Sequence, residues 1–172
     1  HVGSFFLQRK LQADVAAIFQ QARGLGVTTS LDTGFDPYGE WDNGIWDVLP
    51  WVDTFMPNEV EAAFITGIDD PPKAAQRLAQ RAGQVALKLG GKGSVLVGKD
   101  GELTVSAFAV DVVDTTCCGD AFNTGFLAAQ LAGRSPEECL RWGSAAGAII
   151  AGGSGTSAHR LSMATMGRIL GA

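Results

Sequence analysis

The sequence predicts an α/β fold, a mostly parallel sheet with helices on its faces. Strand-like and helix-like segments alternate along the chain. Leu11, Val15, Ile18 and Phe19 recur at helical spacing. A loop rich in Gly, Asp and Pro, residues 33–43, follows a strand-like run. In doubly wound folds that C-terminal strand edge is where ligands bind.

The first helix stops at Gly24 or Gly26, and residues 27–31 form a strand ending at Asp32. A helix over 45–49 leads to a strand over 52–56, then Pro57 and another helix from Asn58. Pro71 and Pro72 start a helix over 73–82, and 85–89 is the next strand. Gly90-Gly91-Lys92-Gly93 turns the chain into a strand over 94–97. Asp100-Gly101 is a hairpin turn leading into 103–108. Helices over 119–132, 136–151 and 160–170 complete the chain. With no internal repeat, low-complexity tract or linker, residues 1–172 read as part of one domain.

Composition narrows the function classes. Of 172 residues, 46% are apolar and 18% charged, which fits a globular chain with a proper core. A net charge of -5 argues against nucleic acid or an anionic membrane surface as partner. The longest small and apolar run, residues 142–151, falls far short of the roughly 20 residues that span a bilayer. Three cysteines, two of them adjacent, give neither a disulfide framework nor a zinc spacing, so a reducing cytoplasm is expected. The opening His1-Val2-Gly3-Ser4 lacks an initiator Met and suggests a piece of a longer chain.

Residues 113–122 carry the chemistry: Val-Asp-Thr-Thr-Cys-Cys-Gly-Asp-Ala-Phe. An apolar stretch ends in a small-residue turn, and a helix starts near Gly119. Unpaired N–H groups at a helix start attract anions. Asp120, placed there, can take a proton from a hydroxyl while those donors hold a phosphate, as phosphoryl transfer to an alcohol requires. A Gly-Asp pair also fits an N-cap of a core helix.

The string closely resembles the C-terminal signature of the ribokinase-like (PfkB) sugar and nucleoside kinases, usually Asp-Thr-Thr-Gly-Ala-Gly-Asp-Ala-Phe. Cys117 and Cys118 replace the Gly and Ala; Asp114, Thr115, Thr116, Gly119, Asp120, Ala121 and Phe122 stand in place. The resemblance implies a ribokinase-like (Rossmann-like) three-layer sandwich. It implies ATP-dependent phosphorylation of a sugar hydroxyl, with Asp120 as base and an anion hole at Cys117, Cys118, Gly119 and Asp120. Backbone donors tolerate a side-chain change, so both cysteines read as small replacements. A thiol at a helix N-terminus with a lowered pKa, open to oxidation, is the other reading.

Three more segments extend the resemblance. Asn58-Glu59-Val60-Glu61 is similar to the family's Asn-x-x-Glu element, which implies water-mediated Mg²⁺ contact by Asn58 and Glu61. The same residues also spell a capping box that needs no metal. Lys88-Leu89-Gly90-Gly91-Lys92-Gly93 resembles the family's nucleotide loop, with Lys88 replacing the usual Thr. That implies nucleotide contacts at Lys88, Gly90, Gly91 and Gly93, although glycine-rich hairpins need no ligand. Residues 141–148 resemble the helix beside the adenine, with Ser144 where some members carry Asn. Their small side chains equally suit close helix packing. The family also implies a monovalent cation, K⁺, held near Asp114, Thr116, Ile150, Gly153 and Gly155.

The resemblance covers nearly the whole chain but only the C-terminal half or slightly more of a complete member. The family's first strands, Gly-Gly sugar motif and lid have no counterpart here. The loop from Asp32 to Trp41 resembles a segment that often reads Asp-Pro-Asn-x-Arg before a Trp. Gly34 replaces the Asn, and no Arg is found. A non-catalytic nucleotide-binding fragment and a nucleoside kinase are the alternative readings. Missing strands would expose a sheet edge and apolar surface, so self-association is expected.

Overall fold

The structure, a computed structural model, describes residues 1–155 and 161–171. Among them, five strands form one sheet in the order β1-β2-β3-β4-β5: Ser30–Leu31, Thr54–Phe55, Gln84–Lys88, Ser94–Gly98 and Gly101–Val105. β1 pairs with β2 in parallel, and β2 with β3. Val2 bridges to Leu31 beside β1. The helices are α1 (Gln12–Gly24), α2 (Ile45–Val48), α3 (Glu59–Thr66), α4 (Pro71–Ala79), α5 (Cys118–Leu131), α6 (Pro136–Ala151) and α7 (Met163–Leu170). Arg160, where the sequence starts the last helix, lies outside the described residues.

The chain divides into two compact units, residues 1–87 with 96–102 and residues 88–95 with 103–172. In the first, Phe5, Val15, Leu31, Ile45, Leu49, Phe55, Met56 and Leu78 are fully buried. α1 buries Val15 and Phe19, while Ile18 stays exposed, so its apolar stripe is narrower than the sequence spacing implies. β1 is shorter than the predicted 27–31 because Val27 lies on the surface. β2 likewise occupies only the middle of the predicted 52–56. α4 begins at the two prolines, whose missing N–H groups cost nothing in a first turn, and Asp70 caps the Lys73 N–H at 3.2 Å.

In the second unit the core gathers Ala121, Ala145, Ala146, Ile149, Ile150 and Met166 from α5, α6 and α7. α5 and α6 lie close enough that a Cβ on Gly143 would meet the Phe122 ring at 2.9 Å. The small residues of α6 therefore have the packing role that their sequence allows. Ser135 and Glu138 form a capping box and Pro136 opens α6, which fixes its start sharply. Val112 and Val113, ahead of the signature, are exposed and belong to no strand. The N–H groups of Val113 and Asp114 instead donate to the Ala151 carbonyl at 2.8 and 3.2 Å.

Candidate active site

α5 begins where the sequence places the signature. Its N-cap, Cys117, has φ 60°, a left-handed conformation that suits glycine far better than a residue with a Cβ. Gly stands at this position in the resembled pattern, the residue type that this backbone conformation favours. The Cys118 N–H donates to the Thr115 carbonyl at 3.2 Å. That bond closes the entering turn. Gly119 and Asp120 follow in the first turn, where helical N–H groups have no intrahelical acceptor. Asp120 is exposed in that first turn, and its charge is close enough to Cys117 to push the thiol's pKa up.

Both thiols are pushed up from the ordinary cysteine pKa. For Cys117 desolvation leads, followed by the Asp120 charge; for Cys118 desolvation leads, followed by the Asp114 charge. The direction is opposite to the lowered pKa expected of a thiol at a helix N-terminus. The neighbouring carboxylates oppose the attraction of the helix terminus.

Lys88, the last residue of β3, reaches this terminus. Its Nζ donates to Asn123 Oδ1 at 3.3 Å and would lie 3.5 Å from a Cβ on Gly119. Asn123 is only 4% exposed, one α-helical turn beyond Gly119. It was absent from the sequence-based candidates. A polar residue on the buried face of an apolar helix was the available signal.

The glycine loop divides by role. A Cβ on Gly90 or Gly91 would meet nothing within 4 Å, so their backbone is open to approach. Gly93 has φ 105° and is pressed against the Val105 carbonyl and Ala107, so its missing side chain is a packing requirement. Ser144 Oγ lies 3.0 Å from Ser94 Oγ, which is fully buried, and the two hydroxyls satisfy one another. Ser94 was also missed from the sequence.

Asp114 ties the entering turn together. Its Oδ1 accepts the Thr116 N–H at 2.9 Å and its Oδ2 the Gly155 N–H at 3.1 Å. These bonds, with Thr116 first, hold its carboxyl below the usual carboxylate range. Gly153 donates to the Ile150 carbonyl at 3.0 Å. The residues expected around a cation thus form two bonded groups, Asp114 with Thr116 and Gly155, and Ile150 with Gly153.

In the first unit, Asn58 and Glu61 form the complete capping box of α3. Asn58 Oδ1 accepts the Glu61 N–H at 2.9 Å, and Glu61 Oε2 accepts the Asn58 N–H at 2.9 Å. Asn58 Nδ2 also donates to Glu61 Oε1 at 2.8 Å, and Thr33 Oγ1 to Oε2 at 3.0 Å. Glu61 is 4% exposed. Oxygens so engaged suit contact with an ion's water shell better than direct ligation. Among the described residues, no group of three or more His, Cys, Asp or Glu could hold a metal ion.

Gly34, which replaces the family's Asn, has φ 61°, and a Cβ there would lie 3.2 Å from Ser4 Cα. The loop needs glycine at this point for its own backbone.

Residues 1–162 match the family described as pfkB family carbohydrate kinase. The chain belongs to that family. Ribokinase from Arabidopsis thaliana is 32% identical to this pfkB chain over 162 residues, 87% of this chain and 41% of that protein. Cytidine kinase from Thermococcus kodakarensis is 36% identical over 100 residues, 56% of this chain and 36% of that protein. The structure of Arabidopsis thaliana ribokinase complexed with ribose and ATP superposes with a TM-score of 0.78 at 27% identity, covering 91% of this chain and 51% of that one. The fold is ribokinase-like, as the sequence predicts. This pfkB chain spans about half the length of the relatives it matches, or less. No described helix is long and apolar enough to cross a membrane.

Proposed function

We propose that the protein phosphorylates a hydroxyl of a sugar with ATP, Asp120 acting as general base. The observation that carries this reading is the first turn of α5: a carboxylate beside N–H donors that have no helical acceptor. The Asp120 carboxylate takes the proton of the acceptor hydroxyl. The hydroxyl oxygen forms a bond to the γ-phosphorus as the bond to the β–γ bridging oxygen breaks, and ADP leaves with that electron pair. Charge on the transferring group faces the N–H groups of Cys117, Gly119 and Asp120, which are fixed before the reaction and need no reorganisation. The rest of the nucleotide lies along Gly90 and Gly91 and beside α6.

Asn58 and Glu61 would orient waters of a Mg²⁺ ion, which would supply charge neutralisation for the phosphates. The turn near Asp114, Thr116, Ile150, Gly153 and Gly155 would hold K⁺ through its carbonyls. Relatives named for both sugars and a nucleoside leave the acceptor open between those two classes. Exposed Leu25, Leu131 and Leu103, the last on β5, favour self-association, and a cytoplasmic location suits the free thiols. A clean monomer by light scattering at high concentration would contradict the association.

The test is ADP release with Mg²⁺, K⁺ and a panel of sugars and nucleosides, with Asp120→Ala as control. Acceptor-dependent turnover that vanishes in the variant is expected. Turnover that persists in the variant would overturn the assignment of the base.

A further inference from the structure

We propose that Lys88 is a catalytic residue that places its ammonium on the γ-phosphoryl group during transfer, and that Asn123 is the positioning residue that holds it there. The inference rests on the kinase reading above and deepens it. Lys88 ends β3, and its side chain runs to the start of α5. Its Nζ is the only atom within 4 Å of the position a Gly119 Cβ would occupy, among the described residues and outside the chain neighbours and the helix's own backbone. Asn123 Oδ1 accepts from that ammonium at 3.3 Å, and Asn123 is buried on the core side of α5.

The Lys88 ammonium lies beside the first turn of α5, and an anion placed there is attracted by both the ammonium and the turn's N–H groups. The adjacent residue, Asp120, is the proposed base, so an anion there is the reacting phosphoryl rather than the ribose or the α-phosphate. The threonine usual at this position offers a neutral hydrogen bond. A lysine offers a charge-assisted one, roughly twice as strong, aimed where negative charge spreads in the transition state. The effect is a preference for nucleotides that carry a γ-phosphate.

The experiment is calorimetric titration of the protein with ADP and with a non-hydrolysable imido analogue of ATP, comparing wild type with Lys88→Met, Lys88→Thr, Lys88→Arg and Asn123→Ala. Lys88→Met and Lys88→Thr are expected to lower affinity for the analogue about 10-fold or more with little change for ADP. Turnover with ATP should fall on the order of 100-fold. Lys88→Arg keeps the charge and should retain part of the preference for the analogue. Asn123→Ala should reduce that preference by a smaller factor, about 3-fold, and lower kcat more than it raises KM. Unchanged circular dichroism checks each fold, and a Lys88→Met that unfolds leaves Lys88→Thr and Lys88→Arg to decide. Equal loss for ADP and the analogue, or no loss for either, overturns the placement on the γ-phosphoryl. Asp120→Asn measured in parallel separates the two claims. If it abolishes turnover while the lysine variants behave like wild type, the kinase reading stands and the role of Lys88 falls. A wild-type protein that binds neither nucleotide overturns both.

Discussion

A Cβ on Gly125 would lie 2.5 Å from the carbonyl oxygen of Trp142. It would also sit 2.8 Å from the Ala146 Cβ, so α5 and α6 meet through a bare backbone at this level. The meeting matters to the site because α5 carries Asp120 at its other end. Gly125→Ala gains helix propensity but forces the two helices apart. Overpacking of this kind costs about 1–3 kcal/mol, more than the roughly 1 kcal/mol that alanine returns. The variant should unfold at lower denaturant than wild type in a chemical melt. An increase in stability would show that the helices can part freely.

Cys117 holds a left-handed backbone with a side chain that disfavours it. Cys117→Gly should raise stability by about 1 kcal/mol, since the strain is removed while the N–H stays in place. Glycine's greater freedom in the unfolded chain reduces this gain. Differential scanning calorimetry should show a higher Tm, and a lower one would mean that the unfolded chain's added freedom outweighs the strain.

The Asp114 carboxylate has its pKa lowered by the Thr116 and Gly155 bonds. A depressed folded pKa means stability that is present above the unfolded value, about 3.9, and is lost as pH falls through the folded value. Asp114→Asn should therefore be less stable than wild type at pH 7, with the difference shrinking as pH drops below about 4. Urea melts at pH 7 and pH 3 measure this. A difference independent of pH would rule out the carboxylate charge as the source.

Glu61 caps α3 and accepts from Thr33 while buried. Glu61→Ala leaves those donors unsatisfied and should cost about 1–3 kcal/mol. Glu61→Gln retains an acceptor for the capping box and should cost less, yet it removes the charge expected to orient waters of a Mg²⁺ ion. A Glu61→Gln protein that keeps its Tm but needs more Mg²⁺ for turnover supports both roles. Unchanged Mg²⁺ dependence would leave Glu61 a helix cap alone.

Where a local rule set a boundary, the sequence made it legible. Pro136 after Ser135 started α6, and the small-residue turn before Gly119 placed the start of α5 to within a residue. Strand lengths were less legible, because Val27 and Val52 read as strand by type while only tertiary pairing decides where a ladder stops. Asn123 and Ser94 escaped notice because a buried polar residue is informative only once its partner across the fold is known, here Lys88 and Ser144. The turn bond made by the Cys118 N–H was not legible for a similar reason: it depends on the backbone of Thr115, which the motif does not specify. Gly34 departs from the family's pattern, and the reason for a glycine, the close approach of Ser4, is visible only in the fold.

Turnover set against nucleotide affinity in Asp120→Asn tests Asp120 as the base. The substitution keeps size and the backbone donors while removing the proton acceptor. The account predicts a kcat lower by about 10²–10⁴-fold with ATP affinity nearly unchanged. Equal loss of affinity and rate, or a kcat close to wild type, would contradict it.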